Sequence, residues 1–185
     1  MTRKIISITF CAAMALQTHS SRAASENRCV APSCDEYKAE AKAGEFSRYA
    51  FGSELRPRGY FRANLSITDS HADKDWVPFC YLSLAQAEDL RDSIQLAITK
   101  EEGKTNLVAS IRTIRAGKVI SLEKYETSYS FGMNLPFDIS WMPNKFDMSF
   151  GDEPKTYTVR STFTPKIAHL GCGAGAGTFQ NIEQR

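Results

Sequence analysis

The chain has few of the groups that make catalytic sites. It holds three histidines in 185 residues, and one of them, His19, falls in an apolar N-terminal segment. Only His71 and His169 remain beyond it. No serine sits in a G-x-S-x-G elbow, so the exposed nucleophile of an α/β-hydrolase is not encoded. Paired acids such as Asp73 with Asp75, Glu101 with Glu102 and Asp152 with Glu153 lie in turn-like stretches, where solvated carboxylates are ordinary. None belongs to a complete calcium loop. The cysteines lack paired C-x-x-C spacing and the histidines are not grouped with them, which speaks against zinc. We therefore expect no cofactor, no metal and no catalytic residue.

Charge of one sign is also missing. The formal charge is +2, and it falls to −1 once Arg3, Lys4 and Arg22 are removed with the leader described below. Nucleic-acid binding needs a basic footprint that displaces counterions, so that class of partner is not expected. Beyond the first two dozen residues no apolar run is long enough to cross a bilayer. There is no fixed-period repeat and no low-complexity tract.

At the N-terminus, Arg3 and Lys4 precede an apolar run from Ile5 to Leu16, and small residues follow, with Ser21 and Ala23 spaced as at a signal-peptidase site. This predicts a secretory signal peptide over 1–23 and a secreted chain, periplasmic if the host is bacterial. About 160 residues remain, enough for one domain with its own core. Cys11 leaves with the leader. Cys29, Cys34, Cys80 and Cys172 form an even set in an oxidising compartment, which reads as two disulfides with three pairings open. We expect Cys29–Cys34, closing a small loop around Pro32, and Cys80–Cys172, tying an early strand to the last one.

Periodicity then organises the chain. Ser33 to Gly44 predicts a short helix, with Ser33 and Glu36 as a capping box and Gly44 as a stop. We assign 24–59 to an N-terminal segment with that helix and the small disulfide loop, and 60–185 to a β-sandwich domain. Phe61, Ala63, Leu65 and Ile67 alternate with Arg62, Asn64, Ser66 and Thr68, a strand with one wet face. Asn64 on that face opens the one N-glycosylation sequon, relevant in a eukaryotic host. VPFCYLSL predicts a core strand carrying Cys80. A short helix or turn is expected near Gln86–Arg91, followed by a strand into Lys100. Two strands flank Ala116-Gly117. Phe137, Ile139 and Trp141, then Phe146, Met148 and Phe150, alternate with polar residues around Met142-Pro143-Asn144, and Tyr157 begins a third strand. The pattern is mostly β, an antiparallel sandwich of jelly-roll or lectin-like type with one or two short helices.

The segment GCGAGAGTF, Gly171 to Phe179, raises the question of a phosphate-binding loop. A P-loop needs a lysine after its last glycine, and a dinucleotide fold needs a helix with room to form; neither is present. In a strand, the four glycines would share one face, with Cys172, Ala174 and Ala176 on the other. They would serve shape, and could line a binding surface.

The run PFDISWMPNKFDMSFGDE, followed by TYTVRSTF and IAHLGCGAGAGTF, resembles the late strands of galectin-like and laminin-G-like sandwiches. It is also similar to the secreted farnesoic acid O-methyltransferase-like domain. The resemblance covers the C-terminal half and implies a jelly-roll fold and ligand binding. The histidine, asparagine-arginine and tryptophan-glutamate groups that galectins use on sugar are not found, so no galectin site residue carries over. No methyl-donor motif is present either.

Surface connections are where binding groups gather. His71, Asp73, Asp75 and Trp76 form the most function-like loop, the competing reading being a polar loop with Trp76 tucked into the core. Trp141 and Asn144 complete the candidate ligand-binding set, although the alternation of Trp141 with Phe137 and Ile139 points it to the core. Together these features predict a secreted, non-enzymatic binding protein whose partner is carbohydrate. The alternative is a protein–protein interaction module acting on an extracellular protein as inhibitor, effector or assembly subunit.

Overall fold

The computed structural model describes residues 33–51, 55–70, 76–152 and 155–185, with side chains from Glu36 onward except at 51. Cys29, His71, Asp73 and Asp75 lie outside the described residues, as does the side chain of Cys34. Ten strands run in order: β1 (Ser33–Phe51), β2 (Gly59–Ser70), β3 (Phe79–Ala85), β4 (Ser93–Thr99), β5 (Asn106–Arg115), β6 (Lys118–Ser130), β7 (Leu135–Met142), β8 (Lys145–Phe150), β9 (Tyr157–Arg160) and β10 (Ile167–Gln184). All pairings are antiparallel.

The two long strands explain the architecture. β10 pairs with β3 through Ile167–Gly173 and with β2 through Gly175–Gln184. β1 lines its other edge throughout. The order β6-β5-β4-β3-β10-β2-β7-β8-β9 is thus one curled sheet. Its halves share a single core, where Leu82, Leu96 and Leu170 of one half meet Phe61, Phe137 and Phe146 of the other. The corner falls at Ala174, which has φ 51°. Beside it, β1 slips register between Ala41 and Phe46, where Gly44 has φ 80°.

That corner revises the expected glycine pattern. The alternation predicted for Gly171 to Gly177 breaks at the left-handed Ala174 and again at the register shift between Ala176 and Gly177. A Cβ at Gly171 or Gly173 would run into Tyr81 or Phe79, whereas one at Gly177 would sit 2.6 Å from Cys80 Sγ and 3.1 Å from Cys172 Sγ. The glycines therefore do not share one face.

No helix occurs among the described residues, which corrects the helix expected over Ser33–Gly44 and decides the helix-or-turn choice at Gln86–Arg91 for the turn. Ser33–Gly44 has good helix formers, yet Tyr37, Ala39 and Ala41 are buried while Lys38, Glu40 and Lys42 are exposed. That period of two suits a strand. Ala39 and Ala41 lie opposite Gly177 and Gly175 of β10, and this pairing overrides local propensity. The Gln86–Arg91 stretch is a turn closed by Gln86 N–H donating to Asp92 O at 2.9 Å, with Leu90 at φ 58°.

The hairpins follow their turn chemistry. Ala116 and Gly117 both take positive φ, the two-residue turn that matches strand twist between β5 and β6. Asn144, with φ 64°, turns β7 into β8. Cys80 and Cys172 are directly opposed across β3 and β10 and form a disulfide, as expected.

Candidate functional site

The two outer faces of the sandwich differ sharply. On β2, β7 and β8 most outward residues are polar and exposed or half-buried, with Ser66 buried and Met142 an exposed apolar exception. Ser149 donates to Asp138 at 2.8 Å, Lys145 pairs with Asp147 at 2.6 Å, and Arg62 lies 4.0 Å from Asp138. Such exposed pairs contribute little. Asn64 belongs to this face, opposite Gln180 and Pro136.

The other outer face, built by β1, β10, β3, β4 and β5, is mostly buried. Cys80, Leu82 and Leu84 point into the core, so Phe79, Tyr81 and Ser83 point outward. The register stacks these outward residues into rows. One row carries Phe46, Gly173, Phe79, Thr99 and Val108; the next Arg48, Gly171, Tyr81, Ala97 and Ser110; the third His169, Ser83, Gln95 and Arg112.

Aromatic rings form a ridge along it. Phe46 meets Trp76 edge-on with centroids 5.6 Å apart and Phe79 at 5.9 Å; Phe79 meets Tyr81 at 6.0 Å. The Arg112 guanidinium lies over Phe79, 5.3 Å from its centroid. Gly171 and Gly173 let the rings lie down over β10, because a Cβ at Gly173 would be 2.8 Å from Phe79 and 3.1 Å from Phe46. The glycine motif thus shapes this surface without supplying a reactive group.

Beside the ridge sits a polar row with open hydrogen-bonding capacity. His169 is 1% exposed and Ser83 0%. Among the described buried side-chain atoms, Ser83 Oγ and His169 Nδ1 have no hydrogen-bond partner. Ser110, by contrast, donates to Ala97 O at 3.3 Å. Burial holds His169 down to about 4, with Arg48 acting in the same direction, so the ring is neutral at ordinary pH. Burial pushes the Tyr81 hydroxyl up to about 12, opposed by Arg48. Burial also lowers the Arg112 guanidinium from its usual value. Neutral His169, Ser83 and Gln95 can donate to and accept from hydroxyls, and the rings offer flat apolar surface.

Of the sequence-predicted site residues, the structure brings Trp76 to this face, half-buried against Phe46. Trp141 is not there. It lies on the core side of β7, 4% exposed, its Nε1–H donating to Arg56 O at 2.9 Å. Asn144 is exposed at the β7–β8 turn, where its carbonyl accepts from Ser161 N–H at 3.2 Å. Phe46, Phe79, Tyr81, Ser83, Gln95, Arg112 and His169 were not singled out from the sequence. The available signal was the alternation inside each apolar run: Phe79, Tyr81 and Ser83 against Cys80 and Leu82, and Ser93, Gln95 and Ala97 against Ile94 and Leu96.

No protein-family model matches the chain, and no curated protein matches its sequence. Solved structures do resemble its fold. The carbohydrate binding module CBM66 from Bacillus subtilis superposes with a TM-score of 0.59 at 11% identity, covering 80% of this chain and 85% of that one. The fold is lectin-like. A toad ovary galectin in complex with thio-digalactose gives 0.52 at 14% identity, covering 82% and 98%. A xylan beta-1,4-xylosidase from Bacillus halodurans gives 0.57 at 11% identity, covering 81% of this chain but 32% of the enzyme. No group of three or more potential metal ligands occurs among the described residues, and no described helix is long and apolar enough to cross a membrane.

Proposed function

We propose that this chain is a secreted, non-enzymatic carbohydrate-binding module that takes its ligand on the outer face of β1, β10, β3, β4 and β5. One observation carries the reading: a ridge of aromatic rings, open at Phe46 and Trp76, runs on through Phe79 and Tyr81 beside two buried atoms without a partner, Ser83 Oγ and His169 Nδ1. Sugar rings present apolar C–H faces to aromatics and hydroxyls to such groups. The lectin-like fold of the neighbours and the Cys80–Cys172 disulfide support it. His71, Asp73 and Asp75 adjoin Trp76 in the chain, and on that sequence neighbourhood alone we keep them as proposed ligand-binding residues. A glycan on Asn64, in a eukaryotic host, would sit on the opposite outer face and leave the site clear.

The test is a glycan array probed with the oxidised protein lacking residues 1–23, with Trp76→Ala and Phe79→Ala alongside. Binding by the parent, lost in either variant that still folds, is the expected result. A blank array, or binding indifferent to both substitutions, would overturn the reading.

Strand β6 favours a second reading, a protein–protein module. It is an edge strand, and its Val119, Ile120 and Leu122 are 56%, 60% and 51% exposed. Such an edge is a template for an added strand from an extracellular protein. Ile120→Lys with Leu122→Lys would abolish partner capture there and leave glycan binding intact.

A further inference from the structure

Two cations on the proposed face have no acidic partner among the described residues. Arg112 of β5 is half-buried, and no described carboxylate pairs with it. The nearby acids are engaged elsewhere: Glu101 with Lys124 at 2.6 Å, Glu126 with Lys104, and Glu123 with the Tyr125 hydroxyl. Arg48 of β1 is exposed in the neighbouring row, opposite Gly171, and also makes no ion pair with a described residue. Its charge is felt by both Tyr81 and His169, which places it at the head of the same patch. Arg48 and Arg112 thus stand on β1 and β5, with the unpartnered Ser83 Oγ and His169 Nδ1 on β3 and β10 between them.

A partly desolvated guanidinium without a counter-ion is a cost to the free protein, offset among the described residues by the face of Phe79. A planar guanidinium pairs best with a carboxylate or sulfate through two parallel hydrogen bonds. A neutral sugar would use Ser83, Gln95 and His169 and leave both arginines uncompensated.

We propose, resting on the carbohydrate reading above, that the ligand is an anionic saccharide. Its carboxylate or sulfate groups pair with Arg112 and Arg48, over the row that buries Ser83 and His169. Carboxylated and sulfated chains share this chemistry, and the experiment separates them.

The experiment is calorimetric titration of the oxidised protein with an oligogalacturonate, its fully methyl-esterified neutral counterpart and a sulfated dextran oligomer. The acidic oligomer of at least one kind should bind at least about tenfold more tightly than the neutral ester, and Arg112→Gln should remove that preference. Arg48→Gln serves as the second variant should Arg112→Gln fail to fold. Lys145→Gln, on the opposite face, should change nothing. Preference for the oligogalacturonate assigns a carboxylate ligand, and for the dextran a sulfate. Equal binding of ester and acid would overturn this inference while leaving the carbohydrate reading standing. No binding of any saccharide would overturn both. Equal weakening by Lys145→Gln and Arg112→Gln would mean diffuse charge attraction, and would also overturn the inference.

Discussion

Ser83 and His169 stand directly opposite one another across the β3–β10 ladder, both buried, each with a polar atom left unpaired. The relationship has a pH consequence. His169 titrates near 6.5 in an unfolded chain and at about 4 in the fold, because burial and then Arg48 disfavour its charged form. Above pH 6.5 it is neutral in both states and contributes no slope. Between 6.5 and 4 the unfolded chain binds the proton more readily, so stability falls as pH falls. The slope is at most about 1.4 kcal/mol per pH unit. Arg48 is the charged group that acts on His169, and Tyr81 of the neighbouring row feels the same arginine. Denaturant midpoints of the parent and His169→Gln across that range should diverge, the variant being flatter. Parallel curves would show that His169 is not held neutral.

The Cys80–Cys172 bridge closes a separation of 92 residues. Removing both sulfurs by a Cys80→Ala, Cys172→Ala double substitution should cost roughly 3–5 kcal/mol in urea unfolding, if loop closure in the unfolded chain is the main effect. A loss under about 1 kcal/mol would mean that the reduced chain is already restrained.

Gly59 is sterically committed to Trp141. An added Cβ would lie 2.4 Å from the indole and 2.7 Å from the Arg185 carbonyl. Gly59→Ala should therefore destabilise by about 1–3 kcal/mol through overpacking, read as a lowered Tm. Trp141→Phe, which loses the hydrogen bond to Arg56 O, should also lower Tm while leaving saccharide affinity unchanged. A selective loss of affinity in folded Trp141→Phe would return Trp141 to the site.

Gly173 should behave in the opposite way. Its missing Cβ leaves space for the rims of Phe79 and Phe46, which are movable side chains. Gly173→Ala should cost only about 1 kcal/mol yet weaken saccharide binding by roughly tenfold or more, since the ridge must rise. Unaltered affinity would show that ring placement over β10 is irrelevant to the ligand.

Much of the fold was legible where one face of a strand is wet. Arg62, Asn64, Ser66 and Thr68 against Phe61, Ala63, Leu65 and Ile67 left little ambiguity, and the β7–β8–β9 meander was equally plain. The Cys80–Cys172 pairing was legible too, because few partners exist. Of the candidate site only Trp76 was legible, because residues on both faces of β3 and β4 are buried, and VPFCYLSL reads as uniformly apolar although only alternate residues face the core. Trp141 proved a core residue and Asn144 a turn residue. The helix expected over Ser33–Gly44 failed for a different reason. Alanine, glutamate and lysine favour helices locally, while the strand they form is held by β10 at the far end of the chain.

Because β10 carries ladder contacts to β1, β2 and β3 at once, nothing before Ile167 can complete either half of the sandwich. A growing chain emerging from the ribosome would carry unpaired β1, β2 and β3 edges until Ile167–Gln184 arrived. Closure at such sequence distance is slow. On the proposed export route, where a chain is threaded before it folds, this delay would be an advantage: β10 acts as a latch that cannot shut early.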